Sequence, residues 1–231
     1  VGFFWDSFVS AIHLLLAADS ELIHIVGVSL TVSSSSTLLA SFAGIPLGLF
    51  LGFVNFLGKR VVITLFQTLL ALPTVVVGLF VYAFISRRGI FGPLDLLYTK
   101  TAIVIGQTIL IIPVVTVLTL AAISRMDKRY KDTALTLGAG PLTTARAVAW
   151  EARFGIMAAI AAAFGRVIAE VGISMMLGGN AKGFTRTMPT AMALEYDKGE
   201  FVLSIALGLI LLALALGVNG FLQFFQGKAR Q

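Results

Sequence analysis

DTALTLGAGPLTTARAVAWEAR, residues 132–153, interrupts a chain made largely of long apolar runs. Gly138, Gly140 and Pro141 loosen or break a helix, and cations crowd the edges of the segment. Asp132 can cap a helix running through Ala134 and Leu137. Gly138-Ala139-Gly140-Pro141 breaks it, and Thr143 or Thr144 can start the next. The spacing predicts a short exposed helix, a tight turn and a re-entry helix. Small residues at the turn let another surface come close to the backbone, the form a docking knob takes in helix-in-groove recognition. An ordinary helical loop fits the spacing equally well.

The rest of the chain says what solvent this segment leaves. Of 231 residues, 58% are hydrophobic and 12% charged, with a mean hydropathy of +0.98. A soluble domain carries roughly 25% charge, so most of this chain is dissolved in lipid. The net charge of +6 is clustered between apolar runs, which argues for membrane topology and against nucleic-acid binding. With no cysteine, disulfides, thiolate metal sites and cysteine nucleophiles are excluded. No basic n-region followed by a cleavage site is visible near Val1. His13 and His24 have no partners at metal-ligand spacing.

The predicted fold is an all-α membrane protein with five transmembrane helices and an N-terminal interfacial helix, forming one domain over 1–231. The spans are read at 25–53, 61–85, 101–124, 153–178 and 201–225, each able to supply the roughly 20 apolar residues a bilayer needs. The first is longer than required and is expected to tilt, or to bend at Gly44-Ile45-Pro46. Residues 3–17 are shorter, with Asp6, Ser10 and His13 recurring at helical spacing. They read as an amphipathic helix in the interface, with Trp5 at headgroup level; a sixth span is the alternative. Alternate connections hold ten Lys and Arg on the side of Lys59 and Arg125, against six on the side of Arg87 and Lys182. The positive-inside rule then sets the N-terminus outside, the C-terminus inside and residues 125–152 in the cytoplasm.

At this point a family resemblance appears. The opening segment resembles the EAA loop of ABC importer permeases: Glu-Ala-Ala, three residues, Gly, nine residues, then Ile-x-Leu-Pro. Here Asp132-Thr133-Ala134, Gly138 and Val148-Ala149-Trp150-Glu151 stand at those spacings. Thr133, Trp150 and Glu151 depart from the pattern. ALPTVVVGLF (71–80) and FGRVIAEVGISMMLGGN (164–180) resemble elements of molybdate and tungstate permeases, the tungstate type most of all. The likeness covers about 20–225.

The resemblance implies a type I importer permease fold in the cytoplasmic (inner) membrane, importing tungstate or molybdate. It implies a homodimer, two ABC ATP-binding subunits and an extracytoplasmic oxyanion-binding protein. Residues 125–152 become the coupling loop. Docking on the ATPase is carried to Asp132, Thr133, Ala134, Leu137, Gly138, Ala139, Gly140 and Pro141. No cofactor or metal is expected on this chain, and no catalytic residue; ATP and Mg belong to the partner. The residues agree, because Gly178-Gly179-Asn180-Ala181-Lys182 lacks the spacing of a phosphate-binding loop. A stand-alone anion channel or secondary transporter is the alternative.

Candidates for the path or its gate are Ser29, Ser33 and Ser36 on one face of the first span, Pro73 and Thr74, Pro113, Arg166, Glu170 and Asn180. Hydroxyls can pass an oxyanion along or bond their own backbone. Prolines free backbone groups that a lined cavity can satisfy. Arg166 and Glu170 are four apart and expected to pair, as a gate or as a packing device. Ala158, Ala162, Gly165, Ala169 and Gly172 form a small-residue seam read as bundle or dimer packing. Lys182 and Arg186 are read as outer gate, landing surface or solvated loop.

Overall fold

The computed structural model describes residues 2–17, 19–126, 129, 133 and 136–228. Its helices are α1 (Gly2–Leu16), α2 (Ser20–Phe53), α3 (Lys59–Leu69), α4 (Thr74–Ile85), α5 (Lys100–Ser124), α6 (Pro141–Glu151), α7 (Arg153–Ile168), α8 (Gly172–Gly178), α9 (Met188–Lys198) and α10 (Phe201–Lys228). Among the described residues α2, α5 and α10 are each long and apolar enough to cross a membrane. Two bent pairs, α3 with α4 and α6 with α7, bring the number to as many as five.

The expected span 61–85 is therefore not one rod. Pro73 forces the residue before it toward extended backbone, and α3 and α4 meet at 99° around Leu70–Pro73. The expected span 153–178 is also broken, between Ile168 and Gly172. Conversely, the first span does not break: α2 runs through Pro46 as one helix of 34 residues. Pro113 likewise lies buried inside an unbroken α5. The connection 178–200 is not a plain loop, since Thr187 and Thr190 cap α9 reciprocally and Pro189 sits in its first turn.

The centre of the molecule is the α2–α5 contact. Lipid offers no hydrophobic drive for helix pairing, so close backbone approach and hydrogen bonds must supply it. Gly44, Gly48 and Gly52 recur every fourth residue along α2. A Cβ on Gly44 would lie 2.8 Å from Val115 Cβ, and one on Gly48 2.7 Å from Thr119 Cβ and 2.8 Å from the Thr116 carbonyl. Around this contact, Ala40, Val77, Val81, Leu110, Ile111, Val115, Val167 and Ile173 close a core drawn from α2, α4, α5, α7 and α8. A second core joins α1, α2, α9 and α10 through Ala11, Ile25, Met188 and Leu207. A third, Ile123, Val148, Ala152 and Ile156, fixes α6 to the ends of α5 and α7. Helix α1 has 15 residues and packs along α10 through the second core.

The α2–α5 contact gives a direct test. Gly48→Ala forces a methyl against a backbone carbonyl and should cost about 1–3 kcal/mol by overpacking. Gly52→Ala meets its first neighbour only at 3.4 Å and should be near neutral. Thermal unfolding in a mild detergent distinguishes the two.

Candidate functional site: two helix breaks and an exposed turn

The two breaks meet. A Cβ on Gly172 would lie 3.0 Å from Thr74 Oγ1, 3.3 Å from Glu170 Oε1 and 3.4 Å from Val75 Cγ2. Only a glycine lets α8 start this close to the start of α4. Gly78 repeats the device one turn on, facing Met176 Sδ at 3.0 Å. Of the expected path residues, Pro73, Thr74 and Glu170 are thus brought together, and Arg166 lies in the last turn of α7 leading into the same break.

Backbone groups freed at a break need partners, because lipid supplies none. Glu170 Oε1 accepts the Ile173 N–H at 3.2 Å, capping α8. The Val167 carbonyl accepts the Glu170 N–H at 3.1 Å and the Gln107 Nε2–H at 3.3 Å. Gln107, only 1% exposed, also donates to Ser174 Oγ at 3.4 Å and accepts from Ser36 Oγ at 3.0 Å. One amide therefore ties α5 to α2, to the end of α7 and to α8. Sequence reading missed Gln107; an uncharged amide in the middle of an apolar span was the available signal.

The expected Arg166–Glu170 ion pair does not form. Helix α7 stops at Ile168, so the i,i+4 register is lost before Glu170, and that carboxylate turns to α8 instead. Arg166 Nε is buried without a hydrogen-bond partner. The serine face is also placed differently from the expected path. Ser29 Oγ accepts the Met188 N–H at 2.6 Å, Ser33 is buried, and Ser36 serves Gln107 and the Val32 carbonyl. The Ser29 and Ser36 hydroxyls hold helices together inside the chain. Ser34, on another face of α2, is exposed and lines a 930 Å³ apolar groove between α2, α7 and α10. Pro113 faces the core and Asn180 lies at the far end of α8, in a left-handed turn (φ 51°), donating to the Thr190 carbonyl at 3.2 Å. Neither joins the breaks.

Arg186 is not a landing surface. At 8% side-chain exposure it sits 3.6 Å from Glu21 and 3.7 Å from Glu195, while Lys182 reaches Glu21 at 2.7 Å and Lys198 reaches Glu195 at 3.0 Å. This chain of ion pairs clamps the 179–187 segment between α2 and α9. In the small-residue seam, Ala162, Gly165 and Ala169 are exposed, and nothing lies within 4 Å of a Cβ placed on Gly165.

Asp132 and Ala134 lie outside the described residues. Thr133 is helical and exposed, and its carbonyl accepts the Leu137 N–H at 3.1 Å. Gly138 follows with φ +79°, the left-handed region where a side chain is strained, and open space surrounds it. The next helix opens at Pro141 with Gly140 as cap, earlier than Thr143 or Thr144, because Pro suits a first helical position. Thr144 instead bonds back to the Gly140 carbonyl at 3.1 Å. Leu137 and Leu142, 81% and 84% exposed, stand on either side of Gly138-Ala139-Gly140.

Helices and bent helix pairs long and apolar enough to cross a membrane, two half-spans meeting at their breaks and a bare apolar turn place the chain among polytopic helical membrane proteins. The family comparison agrees: residues 44–231 match the model for the inner membrane component of binding-protein-dependent transport systems, and the chain belongs to that family. It is 41% identical over 95% of its length to the tungstate uptake system permease protein TupB of Campylobacter jejuni, of which it covers 92%. It is 42% identical to a probable anion ABC transporter permease protein of Haloferax volcanii, over 86% of this chain and 88% of that one. Its fold matches a subunit of a bacterial alginate ABC transporter solved with its periplasmic protein, with a TM-score of 0.74 and 18% identity over 92% of this chain and 80% of that one.

The knot at the breaks is testable. Gln107→Leu leaves the Ser36 and Ser174 hydroxyls without their side-chain partner and the Val167 carbonyl short of one donor. It should destabilise by about 1–3 kcal/mol. Gln107→Glu keeps the acceptor for Ser36 and should lose less if the carboxyl is protonated. Unfolding midpoints in detergent, read together with protease sensitivity near 168–172, report both.

Proposed function

We propose that this chain is the permease half of an ATP-driven importer of a tetrahedral oxyanion, tungstate first and molybdate second. The observation that carries the reading is the turn at 137–142. Two bare leucines flank a glycine turn, and behind them α6 is locked to the bundle through Val148, Ala152 and Ile156. Exposed leucines on a rigid mount are the apolar anchors of helix-in-groove binding. The ATP-binding subunit is the occupant, one on each chain of a homodimer. ATP and Mg are bound there, and this chain binds no cofactor.

The exposed seam at Ala162, Gly165 and Ala169 gives the second chain a surface for close approach. The chain lies in the cytoplasmic membrane with its N-terminus outside and the turn inside, following the Lys and Arg asymmetry. An extracytoplasmic binding protein delivers the oxyanion to the outer face; the alginate transporter of similar fold was solved in complex with an alginate-bound periplasmic protein. The substrate rests on the names of the relatives, one a tungstate permease and another an anion permease. Transport proceeds by alternating access. The nucleotide state of the partner changes its contacts with the turn, and the rigid α6 passes that difference to α7 and its break.

Purification of tagged chain from its native membranes in mild detergent tests the docking. An ATP-binding subunit should accompany the native chain. Leu142→Asp places a carboxylate in an apolar groove and should weaken the complex by about 2 kcal/mol, roughly thirtyfold. It is a cleaner variant than one at Gly138, where any side chain also strains the turn. Equal recovery of the ATPase with Leu142→Asp removes the docking assignment. Absence of any ATPase from an intact dimer favours a channel or secondary transporter. For the substrate, tungsten accumulation by cells should be suppressed strongly by molybdate and weakly by sulfate; the reverse order overturns the tungstate assignment.

A further inference from the structure

On the opposite side of the bundle from the 137–142 turn, α4 and α5 are joined by residues 86–99. With the end of α4 they border an open cavity of about 640 Å³ lined by Tyr82, Ser86, Arg87, Arg88, Asp95 and Tyr98. The loop that builds it is firmly set. The Phe91 N–H bonds the Phe84 carbonyl at 2.9 Å, the Gly89 N–H bonds Ser86 at 2.7 Å, and the Tyr98 N–H bonds Leu177 at 2.8 Å. Gly89 and Gly92 permit this fold-back, since a Cβ on Gly89 would collide with the Phe84 carbonyl oxygen and one on Gly92 would lie 2.6 Å from that of Arg87.

The polar lining is dominated by donors. Two guanidiniums, two phenols and one hydroxyl face one carboxylate. That carboxylate, Asp95, lies 3.9 Å from Arg87 Nε, a loose and exposed contact that partly neutralises Arg87. Arg88 has no ion pair among the described residues. The balance is one net positive charge amid hydroxyl donors, in a pocket the other ionic cluster of this face does not share. That cluster, Glu21 with Arg186 and Glu195, is closed on itself.

We propose that this cavity is a binding site for a tetrahedral oxyanion, with Arg88 as its charge and Tyr82 and Ser86 as orienting donors. A guanidinium offers paired N–H groups that match two oxygens of such an anion, and phenol and serine hydroxyls are the further donors that the lining supplies. The mouth is open and the volume exceeds one ion, so binding is weak and hydrated, the property of a hand-off site and not of a trap. Two sources carry this chemistry: a free oxyanion at the outer face, or the phosphate of a lipid headgroup. The second is favoured by Ile90, Phe91 and Leu94, which stand exposed on the same loop. The site does not depend on the ATPase docking proposed above.

The test is arginine-specific dicarbonyl labelling of the purified transporter in neutral detergent, read at Arg88 by peptide mass spectrometry. At a ligand concentration of about twice Kd, labelling of Arg88 should fall roughly threefold. One arm adds sodium tungstate or phosphate to lipid-stripped protein. The other adds phosphatidylglycerol without free oxyanion. Sodium chloride at matched ionic strength is the control, and Arg60 reports general effects. Protection in the first arm identifies a free-ion site, and protection only in the second a headgroup site; either supports the proposal. Tyr82→Phe with Ser86→Ala should abolish the protection while leaving the gel-filtration profile unchanged. Equal labelling in both arms and the control, or equal protection by chloride, overturns it.

Discussion

The Gln107 amide is the point on which the rest of the bundle depends. In water a helical bundle can be held mostly by excluded apolar surface; in lipid that term vanishes, and helices need short contacts and directed bonds. Here both are concentrated on α2 and α5. Gly44 and Gly48 bring the two backbones together, and Ser36 and Gln107 lock their register from within. A side chain with two donors and an acceptor carbonyl can serve three neighbours, and Gln107 does so, reaching α2, α7 and α8. A leucine of similar size could fill the space but could not hold the Val167 carbonyl.

That carbonyl matters because a broken helix in a bilayer is stable only when its loose ends are partnered. The end of α7 is met by Gln107, and the start of α8 by Glu170. Gly172 then lets the second break, at Pro73-Thr74, press against the first. Each device would be a weak point alone. Together they give a defined bend inside an otherwise rigid bundle, which is what a transporter needs if its halves are to tilt without unravelling.

How far the sequence could be read depended on whether local chemistry or tertiary contact decided the outcome. The helical membrane class and the Gly138–Pro141 turn follow from composition and local pattern, and both are present. The prolines misled in both directions. Pro46 and Pro113 sit within continuous helices, whereas Pro73 stands at a break, as the residue before the first turn of α4. Hydroxyl spacing marked a real face of α2, but periodicity cannot say which neighbour that face meets; Ser29 and Ser36 turned inward. The Arg166–Glu170 pair failed because the helix carrying that spacing ends between them. The close approach at Gly48 had a signal in the four-residue glycine repeat, which sequence reading did not use. The close approach at Gly172 had none, since its reason is Thr74, nearly a hundred residues away in the chain.

The arrangement also explains why the exposed turn is mounted as it is. A docking knob on a flexible stalk would absorb a push from its partner as local motion. Helix α6 is instead pinned at its far end: Val148 and Ala152 pack with Ile123 of α5 and Ile156 of α7, with Phe53 of α2 at the edge. Arg153 begins α7 by donating to the Trp150 carbonyl at 2.8 Å, with its guanidinium over the rings of Trp150 and Phe154. The 74° bend between α6 and α7 is thus stiffened by an apolar core on one side and a cation between aromatic rings on the other. In the proposed importer a displacement at Leu142 would turn the α6–α7 elbow as a body. The next point along α7 built to yield is its end at Ile168. In the proposed importer the stroke of the partner would arrive at the Glu170 break, where the two half-spans meet.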